Sequence, residues 1–241
     1  MQWLDVPDAL SLERGLQLLK DLGAIDREES KLTEVGRRMV AFPAHPRYSR
    51  MLVEAERYGC LGVASLCVAL CQERSLFVSN SKKLVEEFSG CDDLSDFMPL
   101  IRAWGFARRA GFNASRCAGY GIKASVARDI SNVMNSLLGA TASPDQIDEI
   151  NEGSLDCVQL AKVILAGFSD NVARRRSLGT LSCDVVGSRR AKLGRGSLAA
   201  GADLIVGAEI TEIEGKDVNV ILGKATGIEQ SWLNELFPDD L

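Results

Sequence analysis

Residues 32–60, LTEVGRRMVAFPAHPRYSRMLVEAERYGC, decide how the rest of the chain is read. Thr33 is an N-cap candidate, because its hydroxyl can take one of the orphan amide protons of the helix that follows. Val35, Met39 and Phe42 fall on one side at helical spacing. Pro43 stops that helix, and Pro46 sits where a fixed φ suits the first turn of the next. Met51, Leu52, Ala55 and Tyr58 supply a second apolar face, and Gly59 a C-terminal stop. The expectation is an αα-corner without chemistry of its own.

Working outward, Ala9, Leu12, Leu16 and Leu19 repeat with the period of an amphipathic helix that Gly23 ends. The stretch AIDREESKLT (24–33) has two short apolar ends around a charged turn, the pattern of a small hairpin. Helix, hairpin and the Thr33 helix fit a winged-helix unit. On the other side, residues 61–71 are apolar nearly all round, as a helix central to a bundle must be. A polar break, SNSKK (79–83), follows. In 92–109, Leu94, Phe97, Ile101 and Trp104 share a face, with Pro99 either starting or kinking the helix. Val126, Ile130, Val133 and Leu137 mark another amphipathic helix, and residues 155–168 and 170–176 read as two more, one apolar and one basic. From about Thr180, TLSCDVV, DLIVGAEITEI and DVNVILGKATGI are β-rich and broken by glycine turns, ending in a short helix, SWLNELF. Five or so short strands of this kind fit a small OB-like barrel. The fold class is mainly α, a winged helix plus a helical bundle followed by that barrel. The domains are expected at 1–43 (winged helix), 44–154 (bundle) and 155–241 (linker helices and β domain).

The 241 residues are 46% hydrophobic and 25% charged, enough to fill real cores. No apolar run reaches the roughly 18 residues that span a bilayer, so no membrane partner is expected. The start, MQWLDVPDALSLERG, lacks a basic n-region before an apolar block, and a cytoplasmic location is the default. The net charge of −5 argues against nucleic acid only if it is spread evenly, and it is not. Residues 101–128 carry six basic side chains, Arg108 and Arg109 among them, and no acid. Residues 171–200 carry seven, Arg174, Arg175, Arg176, Arg189, Arg190, Lys192 and Arg195, against Asp184 alone. Such asymmetry points to an anion-binding face, set against the plainer reading of solvated helix faces.

Catalytic patterns are missing. No GxxxxGK[ST] phosphate loop occurs, and residues 187–196, GSRRAKLGRG, have the wrong spacing. No Asp-Glu-Ala-His run is present. The seven cysteines form no CxxC and the lone His45 has no ligand-spaced partner, so neither a zinc site nor a nucleophile–histidine pair is expected. Cys67 and Cys71, one turn apart in an apolar segment, read as small core residues of a reducing compartment.

The pattern LTxxGRxMxxxPxxPRxxRML…GC resembles the helicase-associated region that follows the motor in DEAH-box/RHA ATP-dependent helicases, most like the bacterial HrpB type. WLDVP (3–7) and LGAID (22–26) look like its winged helix. SDFMPLIRAW (95–104) and VARDISNVMNSLL (126–138) look like its ratchet bundle, and AKVILAGFSDNVARRR (161–176) like the seam before its OB fold. AEITEIEG and VNVILGKATGIEQSWLNELFP match that fold. The resemblance implies a piece of a longer helicase or a split gene product. ATP and magnesium would belong to the missing RecA-like motor lobes, with no cofactor in this chain. Its partners would be those lobes, fused or separate, and single-stranded RNA or DNA, with the bundle and barrel forming one wall of the strand channel. By that likeness the seven basic residues of 174–195 are candidate backbone contacts, and Arg108 and Arg109 lesser ones. Against this stands a structural role in which Arg174 and Arg175 pin the barrel to the bundle through acids such as Glu209 or Glu212. The alternative function is a stand-alone scaffold that docks proteins through its winged helix and acidic tail.

Overall fold

The computed structural model describes residues 8–28, 31–78, 85–140, 155–177, 179–187, 189–213 and 219–238. WLDVP, SNSKK and residues 214–218 lie outside them. Helix α1 (Ala9–Asp21) starts under Asp8, whose carboxylate accepts from the amides of Leu10 and Ser11. Gly23 turns the chain with a left-handed φ of 66°, and a narrow hairpin follows, closed by the Ile25–Leu32 bridge. Thr33 then caps α2 (Glu34–Met39): its hydroxyl accepts from the Gly36 amide at 3.0 Å and donates to the Gly23 carbonyl at 2.6 Å. Gly36 is required by space, since a Cβ there would lie 2.0 Å from the Ala24 carbonyl oxygen. This is the expected winged-helix unit, with one departure. Leu12 and Leu16 are exposed, because α1 reaches the core only through its last turn, at Leu18, Leu19 and Leu22.

The proline bend hands over to α3 (Pro46–Tyr58), with His45 as N-cap and Pro46 in the first turn. Helix α4 (Leu61–Gln72) is buried from Leu61 to Leu70. It contacts α3, α5 (Phe97–Arg109), α7 (Ala124–Gly139) and α8 (Cys157–Gly167), while α6 (Ala114–Ala118) packs on α7. A central position explains its all-round apolarity. Helices α3 and α8 approach closely at Gly167, where a Cβ would meet Met51 Cγ at 2.5 Å. Glu54, 1% exposed, is held between Arg50 and Arg57 at 2.6 and 2.8 Å, so the buried charge is compensated. Pro99 falls in the first turn of α5, where its missing N–H costs nothing. Leu94 precedes that helix and is exposed, so it does not share the Phe97–Ile101–Trp104 face.

Residues 170–176 are not a basic helix. After a single 3-10 turn (Ser169–Asn171) they run as strand β1 (Val172–Arg175), so β structure begins earlier than Thr180. With β2 (Ser182–Val185), β3 (Arg189–Leu193), β4 (Leu204–Ile213) and β5 (Asn219–Ile228) it closes a barrel of order β1-β2-β3-β5-β4, in which β3 and β5 run parallel. That is an OB-like arrangement. The interior is small-chained, with Ala173, Cys183, Ala191, Ala199, Ile205, Leu222 and Ala225, as a narrow barrel requires. Val172, Val206, Ala208 and Ile228 face the other way and belong to the core of the helical bundle. Covered on both faces, the first half of β4 loses the polar–apolar alternation that an exposed sheet would show. The terminal helix α9 (Gln230–Leu236) lays Trp232, Leu233 and Leu236 against the same bundle core, with Phe237 just after it, and Glu235 receives Tyr58 and Lys162 at 3.0 and 2.6 Å.

Barrel and bundle are locked at two points. Before α5, Leu94–Asp96 lie along β5: the Gly227 amide donates to Leu94 O, the Asp96 amide to Ala225 O, and the Ser95 and Thr226 hydroxyls meet at 2.8 Å. The Asp96 carboxylate accepts from the Ala225 amide on one oxygen and the Leu198 amide on the other, both at 2.8 Å, and from the Ser197 hydroxyl. Burial pushes the Asp96 carboxyl above its usual range, partly offset by those donors. The second lock is Arg47, which forks onto Asp170, stacks on Phe168 and reaches the Gly167 carbonyl.

Four outcomes are expected. Gly36→Ala should lower unfolding free energy by about 1–3 kcal/mol in urea melts, through overpacking against Ala24. Gly15→Ala, which meets nothing within 4 Å, should raise it by up to ~1 kcal/mol. Asp96→Asn cannot present an acceptor to both amides at once, and should cost about 1–3 kcal/mol for the unsatisfied group. The fourth concerns Asp93, whose burial raises its carboxyl but is outweighed by the Arg102 fork and the Gly90 amide, leaving it below 3.8. A depressed folded pKa contributes stability above the unfolded value that is lost as pH falls through the folded one. The melting-temperature gap between wild type and Asp93→Asn should therefore be widest near neutrality and shrink below about pH 4. Asp96 has the opposite sign: its contribution is full below 3.8 and declines as pH rises through the folded value.

Candidate nucleic-acid interface

The barrel sorts the arginines of 174–195 by strand register. Alternation turns Cys183, Val185, Ala191 and Leu193 inward and leaves Asp184, Arg190 and Lys192 outward. Arg174 pairs across from Asp184, which pairs across from Arg190, while Ser182 pairs with Lys192. Paired residues on adjacent strands share a face, with Cβ atoms about 5 Å apart. One outer face thus gathers Arg174, Arg190 and Lys192, and Arg176 joins it by reaching Asp184 at 2.9–3.0 Å. Four cations gathered around Asp184 make a local field that the net charge of the chain conceals.

The other candidates go elsewhere. Arg175 turns towards the barrel end and ties the Ala200, Ser177 and Thr180 carbonyls. It ties the barrel to itself through backbone oxygens, not the barrel to the bundle through acids, and Glu209 pairs instead with Lys224 at 2.9 Å. Arg189 donates to the Asp170 carbonyl at 3.2 Å, next to the Arg47 lock. Arg195 lies on the loop after β3, lining a cleft of about 740 Å³ with Phe77, Val85 and Leu100 of the bundle. Arg108 packs over Trp104 at 5.7 Å, and with Arg109 ends α5 some 12 residues, roughly 18 Å, from the barrel. The structure therefore brings together Arg174, Arg176, Arg190 and Lys192 and separates the remaining five.

Residues 189–196 form β3 and the turn after it, with a 3-10 turn (Leu198–Gly201) beyond them. Without a following α-helix N-terminus they make no phosphate loop. His45 is spent on the Arg47 amide at 3.4 Å, and both burial and Arg47 lower its pKa. Burial pushes the Cys60 and Cys71 thiols up to about 11 and the Cys67 thiol well above its ordinary value, which disfavours a thiolate. Among the described residues no group of three or more His, Cys, Asp or Glu could hold a metal ion, and no helix is long and apolar enough to cross a membrane. Composition counted Asp184 only as the odd acid in a basic run and gave Asp96 and Arg47 no role. Asp96 had a readable signal, a Ser-Asp pair just ahead of an apolar helix, but its partners 101 or more residues away did not.

The winged-helix unit and the start of the helical bundle are similar to known families. Residues 15–44 match the family described as "Helicase associated domain (HA2), winged-helix", and residues 45–100 the one described as "Helicase associated domain (HA2), ratchet-like". The chain is similar to the DExH-box ATP-dependent RNA helicase DExH1 of Arabidopsis thaliana, 29% identical over 190 residues, which cover 73% of this chain and 19% of that protein. It is 27% identical over 251 residues to the ATP-dependent RNA helicase DHX33 of Drosophila melanogaster, covering 98% of this chain and 34% of the relative. To the ATP-dependent RNA helicase HrpA of Escherichia coli it is 29% identical over 112 residues, 43% of this chain and 9% of HrpA. The chain thus spans 34% or less of the length of these relatives.

Proposed function

We propose that the chain is the accessory module of an ATP-dependent DEAH/RHA-type RNA helicase, seated against RecA-like motor lobes and forming one wall of the single-strand channel. ATP and magnesium belong, in this reading, to the motor lobes. The observation that carries it is the outer barrel face on which strand register aligns Arg174, Arg190 and Lys192. Arginine and lysine at that spacing neutralise backbone phosphates irrespective of sequence. Trp232 and Phe237, the aromatics of the β-rich tail, pack on the bundle, so the face offers phosphate contacts without a stacking platform.

Fluorescence anisotropy with a labelled single-stranded RNA tests the reading. Affinity should fall about tenfold or more between roughly 50 and 200 mM salt, with single-stranded DNA behaving alike. Combining Arg174→Ala, Arg190→Ala and Lys192→Ala should weaken binding equally for all sequences and flatten the log–log salt slope by about 2. No binding at low salt, or a flat salt response, defeats the channel reading and leaves the protein-docking scaffold. A collapsed melting temperature in the triple variant would assign those side chains to the fold.

A further inference from the structure

On the basic face a shallow cavity of about 270 Å³ is lined by Arg176, Ser182, Arg190, Lys192 and Val220, among others. No aromatic side chain lines it, so it suits a phosphate rather than a base. Beside it stands Asp184, the sole acid of strands β1 to β3. Its two oxygens each lie 3.0 Å from Arg176 Nε, and Nη2 approaches one of them at 2.9 Å. This is the fork geometry with which a guanidinium would grip a phosphodiester. Arg174 and Arg190 flank the same carboxylate across the neighbouring strands. The Arg176 and Asp184 side chains are 44% and 54% exposed, so the pair is weak and open to exchange.

We propose that Asp184 is a resident competitor for the strand: its carboxylate occupies the Arg176 fork until a backbone phosphate displaces it. The inference rests on the nucleic-acid reading of this face and adds its regulation. Exchange of one anion for another at Arg176 yields little net attraction, so each phosphate is gripped briefly. A face that must let a strand pass needs such a grip. The remaining cations still attract the strand, and Asp184 sets how firmly it is held.

The test uses the full chain and a labelled single-stranded RNA homopolymer. Asp184→Asn keeps the side-chain shape and frees Arg176, so affinity should rise severalfold and the salt slope steepen by about 0.7, one additional phosphate contact. In an Arg176→Ala background most of that gain should vanish. Asp184→Thr, which suits a strand, provides the same readout if the asparagine variant melts early. Unchanged or weaker binding by a stably folded Asp184 variant would overturn the competitor, as would an equal gain without Arg176, which is a field effect only. In either case wild-type binding lost through Arg190→Ala and Lys192→Ala would leave the channel reading standing. Absence of wild-type binding at low salt removes both.

Discussion

Asp96 holds one carboxylate oxygen against a strand and the other against the 3-10 turn that plugs the barrel. Neither oxygen is spare. A half-buried anion is an expensive way to join two pieces, since desolvation works against its charge. It returns a fixed geometry: a residue just ahead of a bundle helix dictates where β5 and the Leu198–Gly201 turn must lie. Arg47 and Asp170 repeat the device at the other end of β1, joining helix α3 to the turn that launches the barrel. The basic face inherits its position from these two locks, because β1 is paired on one side to β4 and on the other to β2.

Much of this was readable in advance because the conspicuous residues of 32–60 each do one local job. Thr33 caps, Pro46 starts a helix, Met51 and Leu52 fill the core. The misreadings share a different cause. NVARRR has no period that separates four strand residues from one helical turn, and pairing with both neighbours settles the matter only in three dimensions. The leucines of α1 show a faultless helical stripe, yet a stripe states what could be buried and not what arrives to bury it. Leu94 matched the spacing of α5 but belongs to the segment that pairs with β5.

The candidate site was legible as a composition and illegible as a surface. Seven basic residues in thirty mark a region, whereas a period of two decides which of them look outward together. Arg174 and Arg175 are neighbours in sequence and opposites in role, one facing solvent and the other bound to three carbonyls at the barrel end. Asp184 was visible only as an exception to the basic run, and its meaning depends on Arg176 reaching it diagonally from just beyond β1.

Strand β4 serves two cores at once, the barrel through Ile205 and the bundle through Val206 and Ala208. The barrel is therefore not a cassette. Cut away from the helices, it would expose Val172, Val206, Ala208 and Ile228 as one continuous oily flank, and the bundle would lose the surface that seals it. Recombination that swaps barrels between such chains has to carry the matching wall of helix along with them.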